Sequence, residues 1–259
     1  MNWMKKVAVA LVCLLPLGLQ AAKVDTLQVK SPSMNKSIEV VVVSPDVAAT
    51  KACPVIYLLH GYGGNARTWV GIKPDLSKIA DEKGIFFVCP DGKNTWYWDS
   101  PLNADVRYET FISDELVKYV DSHYKTVADR KGRAITGLSM GGHGAMWNGL
   151  RHSDVFSAAG STSGGVDIRP FPKNWEMSVQ IGEKAKYPEN WEKYTVINLV
   201  PTLRKDQIAL IFDCGDSDFF LEVNKNYHEA LLKQGIDHDF ITRPVSYTHL
   251  RAHETKANL

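Results

Sequence analysis

Six short apolar runs recur along this chain, and stretches with helical spacing separate most of them. They are PVIYLL (54–59), IFFVCP (85–90), RAITG (133–137), FSAAGSTSG (156–164), IALIFDCG (208–215) and HDFITR (238–243). A continuous apolar run of this length suits a strand covered on both faces. Strands that alternate with helices require crossover connections, hence a mostly parallel sheet with helices on both sides. The helical stretches are KPDLSKIADEKG (73–84), YETFISDELVKYVDSHY (108–124), MGGHGAMWNGLRH (140–152) and FFLEVNKNYHEALLKQG (219–235). Gly84 and Gly235 supply stop signals for two of them. Ahead of this series, VDTLQVKS and SIEVVVVSP read as two strands joined by a turn at 32–36, an antiparallel edge. Residues 164–206 break the rhythm with prolines, tryptophans and weak periodicity. They read as an insertion over the carboxyl edge of the sheet, where ligands of such sheets bind.

The 259 residues are 44% hydrophobic and carry a net charge of +1. That composition provides one sizeable core and no electrostatic attraction for nucleic acid or an anionic membrane. The first 22 residues differ in kind. A basic head, MNWMKK, precedes the apolar run VAVALVCLLPLGL, which is short for a membrane span. Small residues follow, with cleavage expected near Ala21 or Ala22. This is the pattern of a secretory signal peptide, and it predicts a secreted or periplasmic protein with no membrane attachment after cleavage. Val12 before Cys13 argues against a lipoprotein anchor. Cys53, Cys89 and Cys214 are an odd number in the mature chain, expected on strands as buried free thiols.

GLSMG (137–141) matches G-x-S-x-G between a strand and a helix, the context that lifts a serine onto a sharp exposed turn. Ser139 is therefore the candidate nucleophile. The helix behind it favours developing negative charge. LLHGYGGN (58–65) follows the strand PVIYLL, and its glycines allow close approach of the backbone to a ligand. Acyl transfer needs two N–H donors aimed at the oxyanion. Met140 N–H and Tyr62 N–H are the expected pair. His60 reads as a brace for this loop and His143 as a structural residue of the helix. The acid belongs in the turn after IALIFDCG, where Asp213, Asp216 and Asp218 compete. Trp96, Tyr97 and Trp98 are candidates to line an aromatic site for sugar or phenol rings, or equally to fill the core. Trp175 and Trp191 share that ambiguity. Nothing in the pattern calls for a metal or a cofactor.

LLHGYGGN, GLSMGGHGA and DCGDSDFFLE together resemble the esterase D-like branch of the α/β-hydrolases. That branch includes S-formylglutathione hydrolases, feruloyl esterases and mycolyltransferases, and the resemblance spans roughly residues 35–243. It implies the α/β-hydrolase fold and serine ester chemistry. It places the acid on Asp218 and the oxyanion donors on Tyr62 and Met140. Export argues against intracellular glutathione thioesters and for a small-molecule or polysaccharide ester, of acetyl or feruloyl type. An acyltransferase on the same machinery, or a carbohydrate-binding protein on an inactive hydrolase fold, are the alternatives. The intact glycine loops, Ser139 and Asp218 count against the second.

The family pattern stops at Arg243 or Pro244. A catalytic histidine and a closing helix are expected next. Residues 245–255, VSYTHLRAHET, instead match the translation of a sequencing-library adapter at all eleven positions. The expected organisation is a signal peptide at 1–22, a hydrolase domain at 23–243 and a non-native tail at 244–259. His249 and His253 fall in that tail and are excluded as candidates for the base.

Overall fold

A computed structural model describes residues 22–244. The readings on residues 1–21 and 245–259 lie outside these residues. Eight strands form one sheet: β1 (Lys23–Ser31), β2 (Lys36–Ser44), β3 (Val55–Leu59), β4 (Phe86–Pro90), β5 (Arg133–Gly137), β6 (Ala158–Thr162), β7 (Ala209–Gly215) and β8 (Asp239–Arg243). Their spatial order is β1-β2-β4-β3-β5-β6-β7-β8. β1 and β2 run antiparallel to their neighbours, and every pair from β4 onward is parallel. This is the architecture of α/β-hydrolases, with the antiparallel edge that the first two strands predicted.

The helices are α1 (Thr68–Ile72), α2 (Leu76–Lys83), α3 (Tyr108–Thr110), α4 (Leu116–His123), α5 (Met140–Arg151), α6 (Met177–Ile181), α7 (Pro188–Lys193) and α8 (Leu221–Gln234). α1 was not legible in the sequence, being a single short turn of helix. A π-turn over Phe111–Glu115 joins α3 to α4, so residues 108–123 follow one another as the single helix their spacing predicts. Gly84 and Gly235 end α2 and α8 in the left-handed region, φ +64° and +70°. A residue with a Cβ would be strained there.

Alternate residues of the strands feed two separate cores. Val40, Val42, Tyr57, Leu59 and Val88 pack with α4, α5, α8 and the insertion. Val41, Val43, Leu58, Phe87 and Cys89 pack with α2 on the opposite face. That second face is covered at the β2–β4–β3 end. Toward β7 and β8 no other described element covers it, and Ile211 is 50% and Ile241 42% exposed.

Cys53, Cys89 and Cys214 are buried free thiols. Cys53 lies just before β3, in an isolated bridge to Thr126, one step off the strand expected to hold it. Residues 164–206 form the insertion, built of α6, α7 and a 3-10 turn at Val196–Thr202. Trp96 and Trp98 correct one expectation. They are 1% and 0% exposed and stack on each other at 5.7 Å, so neither ring has a face to offer a ligand. Their indoles wrap the buried His143, which explains why so aromatic a segment belongs to the core. Trp191 is likewise fully buried, whereas Trp175 keeps part of its surface exposed.

Candidate active site

Ser139 sits between β5 and α5 with φ +57° and ψ −115°, a conformation that L-residues rarely adopt. Its backbone N–H donates to Thr162 O at 2.9 Å, and Gly141 N–H donates to Leu138 O at 2.8 Å. These bonds bend the chain sharply from strand into helix. The bend also brings backbone against backbone. A Cβ on Gly141 would lie 2.1 Å from Leu59 O, and one on Gly137 would lie 2.4 Å from Gly141. Glycine at both positions is therefore a packing requirement. Among the described residues Ser139 Oγ has no hydrogen-bond partner, although the residue is only 6% exposed. Met140 N–H, at the first position of α5, has no acceptor within the helix.

The loop after β3 comes up beside the serine. A Cβ on Gly61 would stand 3.6 Å from Ser139 Cβ. Gly92 N–H donates to His60 Nε2 at 2.9 Å, so Nδ1 carries the proton and donates to Gly61 O at 2.8 Å. Both ring nitrogens are thus engaged by backbone, and His60 holds the loop rather than facing Ser139. Among the described residues, Tyr62 N–H makes no hydrogen bond to another backbone group. Among the described residues, loop and helix together present two free N–H groups near one serine.

The three aspartates after β7 separate by environment. Asp216 is exposed; its carboxylate accepts from Ser217 Oγ at 3.0 Å, and its N–H donates to Arg243 O at 2.8 Å. Asp213 lies on the same strand face as Ile211, and Arg243 Nη2 donates to its Oδ2 at 3.0 Å. Burial raises its carboxyl, against the Arg243 charge. Asp218 is 7% exposed, in the turn ahead of α8. Its Oδ1 accepts the N–H of Phe220 at 2.8 Å, and its Oδ2 is buried without a hydrogen-bond partner among the described residues. Burial raises this carboxyl too, offset by Phe220 N–H and by the nearby Ser163 hydroxyl. Ser163 Oγ falls short of hydrogen-bond geometry, so its electrostatic influence is the weaker of the two.

His143 is fully buried. Its Nδ1 donates to Gly165 O at 2.8 Å. Burial lowers its pKa to about 4, against the effect of that hydrogen bond. It is neutral and structural. No described histidine hydrogen-bonds Ser139 or Asp218: His228 and His238 pair with each other at 2.7 Å, on α8 and just before β8. Among the described residues no cluster of His, Cys, Asp and Glu could hold a metal ion.

Sequence reading missed two residues at this site. Asn94 accepts the Gly63 N–H, and Glu176 accepts from Asn94. Asn94 gave no signal in the sequence, because its partner Gly63 lies 31 positions away. Glu176 gave no signal, because its place depends on how the insertion folds.

The Esterase family model matches residues 31–237. The chain belongs to the Esterase family. It is 26% identical over 200 residues to an acetyl esterase of Caldicellulosiruptor saccharolyticus, covering 70% of this chain and 72% of that one. It is 31% identical over 149 residues to an esterase of Mycobacterium tuberculosis, covering 55% of this chain and 32% of that longer protein. A solved ferulic acid esterase superposes with a TM-score of 0.74 at 28% identity, covering 92% of this chain and 96% of that one. Family membership and these relatives make carboxylic-ester hydrolysis the chemistry of this chain.

Proposed function

We propose that the chain is an extracytoplasmic serine esterase that works through an acyl-enzyme on acetyl or feruloyl esters of carbohydrate. The observation that carries this is Ser139, held at φ +57° beside two free N–H groups. In the first step Ser139 Oγ attacks the ester carbonyl, and its proton passes to a base. The N–H groups of Met140 and Tyr62 stabilise the resulting oxyanion. The base then protonates the departing alkoxide, leaving the acyl group on Ser139. Water enters by the same route and releases the acid. Asp218 Oδ2 orients the base, which the chain order Ser, Asp, His places after β8.

The acetyl esterase and ferulic acid esterase relatives support the substrate class. The signal-peptide pattern of residues 1–22 supports export. The test is turnover of 4-nitrophenyl acetate, methyl ferulate and acetylated xylan by the protein carrying its native C-terminal end and by Ser139→Ala made in it; the chain with the 244–259 tail, without a base, is expected to be inactive. Hydrolysis abolished in the variant, with unchanged thermal unfolding, is the expected result. Activity retained in Ser139→Ala sinks the proposal. Genomic sequence across codons 244–259 tests the origin of His249 and His253. Scattered synonymous codons in place of the adapter sequence would make them native.

A further inference from the structure

Both peptide planes that meet at Tyr62 are fixed by side chains. In the plane joining Gly61 to Tyr62, Gly61 O accepts from His60 Nδ1 at 2.8 Å and from Gly64 N–H at 3.0 Å. Across a trans peptide the C=O and N–H point opposite ways. Tyr62 N–H is therefore turned away from His60. In the plane joining Tyr62 to Gly63, the Gly63 N–H donates to Asn94 Oδ1 at 2.9 Å. Asn94 Nδ2 donates in turn to Glu176 Oε2 at 3.3 Å, which links the oxyanion loop to the insertion. The Tyr62 phenol also reaches Glu176, and its pKa is raised by burial and by that contact.

The segments that carry Asn94 and Glu176 are strained together. Lys93, Trp96 and Tyr97 have φ of +49°, +58° and +60°, and Trp175 and Glu176 have +49° and +54°. Trp96 Nε1 donates to Trp175 O at 3.2 Å, tying one segment to the other. Residues in such conformations cost about 1–3 kcal/mol each and persist only where the surroundings over-determine them.

We propose that Asn94 is a positioning residue for the oxyanion hole, held in place by Glu176, so that the insertion fixes the peptide plane after Tyr62 while His60 fixes the one that carries its N–H. This rests on the Ser139 reading above. An amide fits the task because it offers an acceptor to Gly63 and a donor to Glu176. Aspartate would keep the acceptor but set a second carboxylate against Glu176. An oxyanion donor acts chiefly on the transition state, so a misdirected Tyr62 N–H lowers kcat and leaves KM alone.

The test compares the chain completed with its native C-terminal end with Asn94→Ala, Asn94→Asp and the double variant Asn94→Asp/Glu176→Gln. Two measurements are made: hydrogen exchange at the amides of residues 61–64, and steady-state hydrolysis of 4-nitrophenyl acetate. Asn94→Ala is expected to speed exchange at Gly63 about tenfold with global unfolding unchanged. It should lower kcat on the order of tenfold, a fraction of the 10²–10³ lost with a whole donor. Asn94→Asp should lower kcat similarly, and Glu176→Gln in that background should restore it. Unchanged exchange at Gly63 in Asn94→Ala overturns the proposal, as does a KM rise at constant kcat. Absence of turnover in the chain completed with its native C-terminal end counts against the Ser139 reading, and the exchange measurement then still decides the Asn94 contact.

Discussion

Asp218 accepts the backbone N–H of Phe220 on Oδ1 at 2.8 Å and keeps Oδ2 buried without a partner. A buried carboxylate oxygen left in that state is destabilising unless another group uses it. Asp218→Asn is expected to lower kcat on the order of 10⁴-fold, as loss of a triad acid does. Asp216→Asn, at an exposed position, should stay near wild type. Steady-state kinetics of the two variants, made in the chain with its native C-terminal end, distinguish them, and the opposite ranking would reassign the acid to Asp216.

The same residue predicts a pH-dependent gain in stability. Burial raises the Asp218 carboxyl above its ordinary value, so the folded state binds this proton more tightly than the unfolded chain does. Stability therefore falls as pH rises from the unfolded value through the folded one. Removing the charge should help above that window and do little below it. Asp218→Asn is expected to raise Tm by about 2–4 °C at pH 7, equivalent to about 1 kcal/mol in a domain of this size, and to leave it unchanged at pH 3. Calorimetry at the two pH values checks the sign.

Ser139 carries backbone strain that glycine would not. At φ +57°, Ser139→Gly is expected to stabilise the fold by about 1 kcal/mol while abolishing turnover. Ser139→Ala should abolish turnover without that gain, since alanine keeps the Cβ. Urea titration of both variants separates the two effects.

Gly141 meets Leu59 where a Cβ would stand 2.1 Å from the carbonyl oxygen. Gly141→Ala must push α5 off β3 and is expected to cost about 3 kcal/mol. Gly63→Ala has open space around it but a φ of +79°, so its cost should be nearer 1 kcal/mol. Denaturant midpoints give the ranking.

Ile211 and Ile241 leave an apolar strip on the second face of the sheet. Replacing both with threonine should shift stability by no more than about 0.5 kcal/mol each, because little burial is lost. The soluble fraction after expression should rise as the exposed patch shrinks. Light scattering against temperature measures both effects.

The sequence by itself determined the strand order and the main helices between strands, the antiparallel edge and the Ser139 turn. Each of these depends on local signals: apolar runs, glycine stops and the spacing of G-x-S-x-G. It also brought forward three aspartates in six residues and could not rank them by pattern, because what separates them is burial and partners. The tertiary structure decided that Trp96 and Trp98 fill the core around His143, although their composition suited an open aromatic site equally well. It alone joined Gly63, Asn94 and Glu176, which lie on three segments far apart in sequence. Local periodicity records which side of an element is apolar. Contacts between loops depend on where the whole sheet brings their ends, and no short stretch of sequence contains that distance.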